Sequence, residues 1–138
     1  ESDEHDWSTR AIEAKDFVLA FKRIADPQVI SPLAWSLISG KIEGLGEWRK
    51  KHGDTNPGDF SRYDEPVEGL QTVDKHTFRI RLKAPFPQLK YVLAMHLYAP
   101  IPREALDYWL TSEDDGEGGR RSIPLSERGP AGGGHRPL

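Results

Sequence analysis

Val67-Glu-Gly-Leu-Gln-Thr-Val73, the turn-like Asp74-Lys75-His76 and Thr77-Phe-Arg-Ile-Arg-Leu82 form the stretch that decides the fold. Phe78, Ile80 and Leu82 alternate with Thr77, Arg79, Arg81 and Lys83, the period of two expected of a strand with one buried and one wet face. Two such runs around a short polar turn predict a β-hairpin, and Pro85 and Pro87 end it. Everything else of regular structure reads as helix. On the N-terminal side lies Ala14-Lys-Asp-Phe-Val-Leu-Ala-Phe-Lys-Arg-Ile-Ala25, where Phe17, Val18, Phe21, Ile24 and Ala25 share one helical face. Asp16 in its first turn and Lys22 and Arg23 in its last complement the helix dipole, and Asp26-Pro27 stops it. Ser31-Pro32 then offers an N-cap followed by proline at the first helical position, for a short helix to about Ile38 that Gly40 ends. Ile42, Leu45 and Trp48 are spaced for another helical turn, although Gly44 and Gly46 weaken it.

From His52 to Pro66 the chain is polar, with Gly53, Pro57, Gly58 and Pro66, and is expected to be an exposed loop. Beyond the hairpin, Leu89, Val92, Leu93 and His96 fall on one face of a helix predicted from Gln88 to Leu97. Ala99-Pro-Ile-Pro102 breaks that helix, and another runs from Arg103 to Leu110. Helices, a hairpin, then helices argue for α+β rather than alternating βαβ units. Two segments are expected: a body over residues 1–110, and a polar Gly/Pro-rich loop or flexible C-terminal segment over 111–138, where Ile123, Leu125 and Leu138 are the large aliphatics. The chain opens at Glu1 without Met and stops at His135-Arg136-Pro137-Leu138 without closing an element, so both ends are expected to lie within a longer polypeptide.

Composition narrows the function. A net charge of −3 with the signs interspersed gives no basic field for nucleic acid or an anionic membrane surface. No apolar run approaches the roughly 20 residues of a membrane span. Without cysteine there is no disulfide, thiolate metal site or thiol nucleophile. The five histidines, at 5, 52, 76, 96 and 135, form no close ligand pair, so no built-in metal is expected. His96, alone of them on an apolar helical face, is expected at the core or a cleft edge with one hydrogen bond. There is no Gly-x-Ser-x-Gly elbow, and Gly132-Gly133-Gly134 lacks the Lys-Ser or Lys-Thr of a phosphate loop. The residues by themselves thus describe an α+β domain without a visible active site.

Particular motifs carry the reading further. Ala14-Lys-Asp-Phe-Val-Leu-Ala-Phe-Lys-Arg-Ile-Ala-Asp-Pro27 resembles a segment of the family 5 extracellular solute-binding proteins, the oligopeptide and dipeptide receptors of ABC importers. Ser31-Pro32, Gly40-Lys-Ile-Glu-Gly44, Val67-Glu-Gly-Leu-Gln-Thr-Val-Asp74, Pro85-Phe-Pro87 and Ala99-Pro-Ile-Pro-Arg-Glu-Ala105 continue in the family's order. The resemblance implies a small accessory subdomain in the first lobe of a two-lobed receptor, helices packed around a hairpin or small antiparallel sheet. It implies short peptides as ligands, permease subunits as partners, and a periplasmic or extracellular place, with a lipid anchor in the full-length protein as a further option. It also points to contact residues. Leu33 falls where such receptors can place a pocket tyrosine, and Met95 where they can place a histidine, with His96 beside it; Trp35 completes the candidate set. Leu and Met supply apolar contact in place of hydrogen bonds. Two other readings fit the same residues: a relative that takes nickel complexes or other small solutes, and a ligand-sensing domain of a cytoplasmic transcription regulator.

Overall fold

A computed structural model of the chain describes residues 10–55, 59–109, 112–114 and 120–122, with side chains for 10–55 and 59–106. Its elements are α1 (Ala14–Ala25), α2 (Pro32–Ile38), α3 (Leu45–Lys51), β1 (Leu70–Asp74), β2 (Thr77–Ile80), α4 (Leu89–Leu93), α5 (Arg103–Trp109), β3 (Ser112–Asp114) and β4 (Arg120–Ser122). Single 3₁₀ turns occur at Ser61–Asp64 and His96–Tyr98. The expected α+β class is what the chain adopts, as helices around a two-stranded antiparallel sheet.

Helix α1 is the spine. Its apolar face carries Val18, Leu19, Phe21, Ile24 and Ala25 into the core with Ile38, Ile42, Leu45, Trp48 and Leu70. Phe17 lies at the margin and stacks on Phe78 of β2, ring centroids 5.2 Å apart. At the start of the helix, the Glu13 N–H donates to the Asp16 carboxylate (2.8 Å), satisfying one of the backbone donors that a helix N-terminus leaves over. Asp16 in turn accepts two bonds from the Arg10 guanidinium (2.9 and 2.7 Å), and Arg10 also reaches Glu104 on α5 (3.0 Å). That pairing holds the Asp16 carboxyl below its usual range.

The hairpin turns at Lys75-His76. Asp74 accepts a hydrogen bond from the His76 N–H (2.8 Å), an Asx turn, and the Lys75 carbonyl accepts one from Ala14 at the head of α1 (2.8 Å). Pairs run Leu70↔Ile80, Gln71↔Arg79, Thr72↔Phe78 and Asp74↔Thr77, with Val73 bulged out between the last two. The second strand ends its ladder earlier than Leu82. The chain before β1 curls back, Leu70 N–H donating to Val67, so Leu82 pairs with Ile42 instead. Lys41–Glu43 thereby becomes a short third edge, bonded from Glu43 to Arg81 (3.0 Å) and from Lys83 to Lys41 (2.9 Å).

Three glycines shape this crossing. Gly40 and Gly44 have φ of 71° and 77°, the left-handed region that side chains disfavour. Gly69 is needed for a different reason: a Cβ there would lie 2.4 Å from the Glu43 carbonyl oxygen and 2.8 Å from its nitrogen. The motif glycines quoted above thus correspond to two reversals and one contact of backbone on backbone.

Two expectations are corrected. The helix predicted over 88–97 stops at Leu93, since Met95 is extended (φ −76°, ψ 140°) and a 3₁₀ turn follows. Packing explains it. At about 100° per residue an unbroken helix would swing Tyr98 about 120° away from Val92, yet both are buried in one core. The loop expected over 52–66 is also not all exposed: His52, Arg62 and Tyr63 are buried. Within 111–138, β3 and β4 pair antiparallel; the rest of that segment lies outside the described residues.

Candidate ligand-binding edge

Leu33 and Trp35 stand on α2, which has Pro32 at its first position, as the sequence predicts, although the side chain of Ser31 before it makes no capping hydrogen bond. Ala34 between them is buried, so α2 turns one residue inward and presents its neighbours outward. Leu33 is 62% exposed. Trp35 is half-buried, with the Arg49 guanidinium 4.8 Å from its ring centroid, a cation–π contact. Arg49 also donates to the Ala25 carbonyl at the end of α1 (2.9 Å). Val29, Ile30, Pro32, Trp35 and Arg49 line a hollow of about 330 Å³.

Met95, 37% exposed, and exposed His96 sit where α4 gives way to the second 3₁₀ turn. What brings this turn to α2 is Tyr98. Its ring packs 5.4 Å from that of Phe21, and its hydroxyl donates to the Ala34 carbonyl (2.7 Å). Burial pushes the Tyr98 hydroxyl pKa up. One hydrogen bond therefore sews the Leu33–Trp35 and Met95–His96 segments together, although Leu33, Met95 and His96 do not line the hollow beside Trp35. His96 is neither buried nor in the core, contrary to one option left by the sequence, because the break at Met95 removes the helical face assigned to it.

Among the described residues the buried histidine is His52. Its Nδ1 lies 3.1 Å from Thr55 Oγ1 and its Nε2 3.0 Å from Glu65 Oε2, while Lys51 reaches the same Glu65 oxygen (2.8 Å). Beside it is a polar cluster that the sequence reading overlooked. Asp26, with no exposed surface, accepts two bonds from Arg62 (2.7 and 3.1 Å) and one from the Tyr63 hydroxyl, and its other oxygen accepts the Gln28 N–H (2.9 Å). Burial first, then the bond to Asp26, raises the Tyr63 pKa. An acid, a cation and a phenol this close could suggest chemistry. Asp26 and Arg62 are sealed, however, so no substrate reaches them, and the cluster works as an internal tie between the end of α1 and the 61–64 turn. The one signal in the sequence was Asp26 itself, read there only as a helix stop. Among the described residues no group of three His, Cys, Asp or Glu side chains is placed to hold a metal, and no helix is long and apolar enough to cross a membrane.

Comparison with known proteins places this architecture. The family model of bacterial extracellular solute-binding proteins, family 5 Middle, matches residues 5–126. The chain belongs to that family. The match runs past residue 110, across the boundary expected from composition. The periplasmic oligopeptide-binding protein OppA of Salmonella typhimurium is 30% identical over 104 residues, 73% of this chain and 17% of its own. The periplasmic murein peptide-binding protein MppA of Escherichia coli is 27% identical over 93 residues, 67% of this chain and 15% of its own. The chain thus spans less than a fifth of these relatives. Among solved structures, the substrate-binding domain of an oligopeptide ABC transporter from Bacillus anthracis aligns over 78% of this chain and 18% of its own, with 22% identity and a TM-score of 0.49.

Proposed function

We propose that this chain is part of an extracellular receptor that captures oligopeptides and delivers them to an ABC permease, and that the edge built from α2 and the 96–98 turn faces the peptide. The observation that carries this reading is the family match over residues 5–126 together with a relative named for oligopeptide binding. The exposed apolar groups of the edge support it, since peptide pockets that accept varied side chains rely on adaptable contact. In this reading the subdomain is one wall of a two-lobed clamp in the periplasm or outside the cell. The body to residue 110 carries the contact side chains Leu33, Trp35, Met95 and His96, and no covalent step is involved.

Calorimetry on the full-length receptor tests it, using tri- to pentapeptides and, in parallel, a nickel chelate. Micromolar or tighter peptide binding is expected, and Leu33→Ser or Met95→Ser should each weaken it about fivefold. The 138-residue chain alone should bind far more weakly, because enclosure by both lobes supplies most of the ligand's burial. Binding of the chelate without peptides would overturn the assignment. Full peptide affinity in both variants would remove the edge from the site.

A further inference from the structure

A second concavity, also of about 330 Å³, opens between α1, β1 and the 61–64 turn, and shares no lining residue with the hollow beside Trp35. Lys15, which also pairs with Glu13 (3.4 Å), Lys22 and Arg103 bring three positive charges to its lining, where Asp64 is the one carboxylate and Thr72 and Tyr63 complete the polar wall. The Arg103 guanidinium bonds the Asp64 carboxylate (3.0 Å) and lies 5.9 Å from the Tyr63 ring centroid, so it is held in place at the rim.

Lys22 is the unusual member. It is only 6% exposed, and its ammonium donates to the carbonyls of Tyr63 (2.8 Å) and Glu65 (2.6 Å). Those bonds use two of its three protons, and it forms no ion pair among the described residues. Burial lowers its pKa. A buried ammonium without a carboxylate is costly. Bridging the two carbonyls accounts for two of its protons, and an acceptor in the concavity would serve the third.

We infer that this concavity is a binding site for a small oxyanion, a carboxylate or phosphate group that bonds the third Lys22 proton and is held by the positive charge of Lys15 and Arg103. The site is independent of the peptide reading, and either can fail without the other.

The test is a titration of the 138-residue chain, isotope-labelled for NMR, with inorganic phosphate and with acetate, each against sodium chloride at matched ionic strength. Saturable shifts are expected at the amides of Lys22, Asp64 and Thr72 with phosphate or acetate and not with chloride, and the Lys22 Nζ pKa should rise when the anion is bound. Which of the two saturates first identifies the preferred oxyanion. Lys22→Met, which keeps the aliphatic stem, should weaken binding about tenfold or more. Should that variant fail to fold, Lys15→Gln and Thr72→Val on the exposed rim carry the test, with about a twofold loss expected for the former. Shifts that never saturate, that chloride reproduces, or whose saturation midpoint is unchanged in Lys22→Met, or in both rim variants where Lys22→Met does not fold, would overturn the inference.

Discussion

Two regions of the molecule are treated in opposite ways. Where α1 ends, the chain buries charge: Asp26, Arg62 and Tyr63 are packed beneath Trp48, whose indole N–H donates to the Arg62 carbonyl (3.2 Å). By contrast, α2 and the residue that precedes the 96–98 turn leave Leu33 and Met95 exposed. A fold governed by transfer energies alone would exchange these placements. The difference teaches that the buried charges answer one another and concern stability, whereas the exposed apolar groups lie outside the core cluster and are, in the proposed reading, the ones that face a peptide. An exposed leucine by itself would say little; its position on a segment pinned by Tyr98 gives it meaning.

The comparison is most easily broken at Asp26. Asp26→Ala should destabilise the chain by about 3–5 kcal/mol in urea unfolding, because it leaves the Arg62 charge buried without its partner. Leu33→Ala and Met95→Ala should stay within about 0.5 kcal/mol, and a large loss in either would erase the contrast. Gly69→Ala should cost about 1–3 kcal/mol, the range for overpacking, since no flexible side chain can yield where the new methyl meets backbone.

Tyr98→Phe sharpens the comparison from the other side. Losing its bond to Ala34 should cost about 1 kcal/mol, and hydrogen exchange should quicken in α2 while the end of α1 keeps its protection. The smallest expected effect is spectroscopic. Burial and the bond to Asp26 raise Tyr63 above the ordinary tyrosine value of 10.0 in the folded chain, so the unfolded chain releases that proton first and stability falls as pH rises past about 10. Lys22, lowered from 10.5, works in the opposite direction over the alkaline range, because the folded chain gives up its proton first. In an alkaline absorbance titration, Tyr63 should therefore ionise late, with unfolding, and Tyr63→Phe should remove amplitude from that late phase alone.

Much of the scaffold was legible because local signals agreed with packing. The α1 face, the proline start of α2 and the strand alternation each followed from spacing alone, as did α5 from Arg103. What escaped were features made by long-range partners. Nothing near Arg62 announces that it meets Asp26, 36 positions away, so a polar stretch read as exposed. The break at Met95 escaped for the same reason, because Leu89, Val92, Leu93 and His96 keep helical spacing and only the need to bury Tyr98 interrupts them. The four candidate contact residues came from resemblance, on two segments that the Tyr98–Ala34 bond joins, but His96 was given a face that the fold does not build.

The close passage of Gly69 over Glu43 has a consequence for how the hairpin finds its alignment. Sliding the first strand by one position would bring Glu68 or Leu70 to a gap where a Cβ atom has 2.4 Å to the opposing carbonyl oxygen, and it would also turn every side chain of the strand to the wrong face. A strand of five residues has few hydrogen bonds with which to count its own position. Here a missing side chain keeps the count, so that a neighbouring segment, and not the turn alone, tells the ladder where to begin.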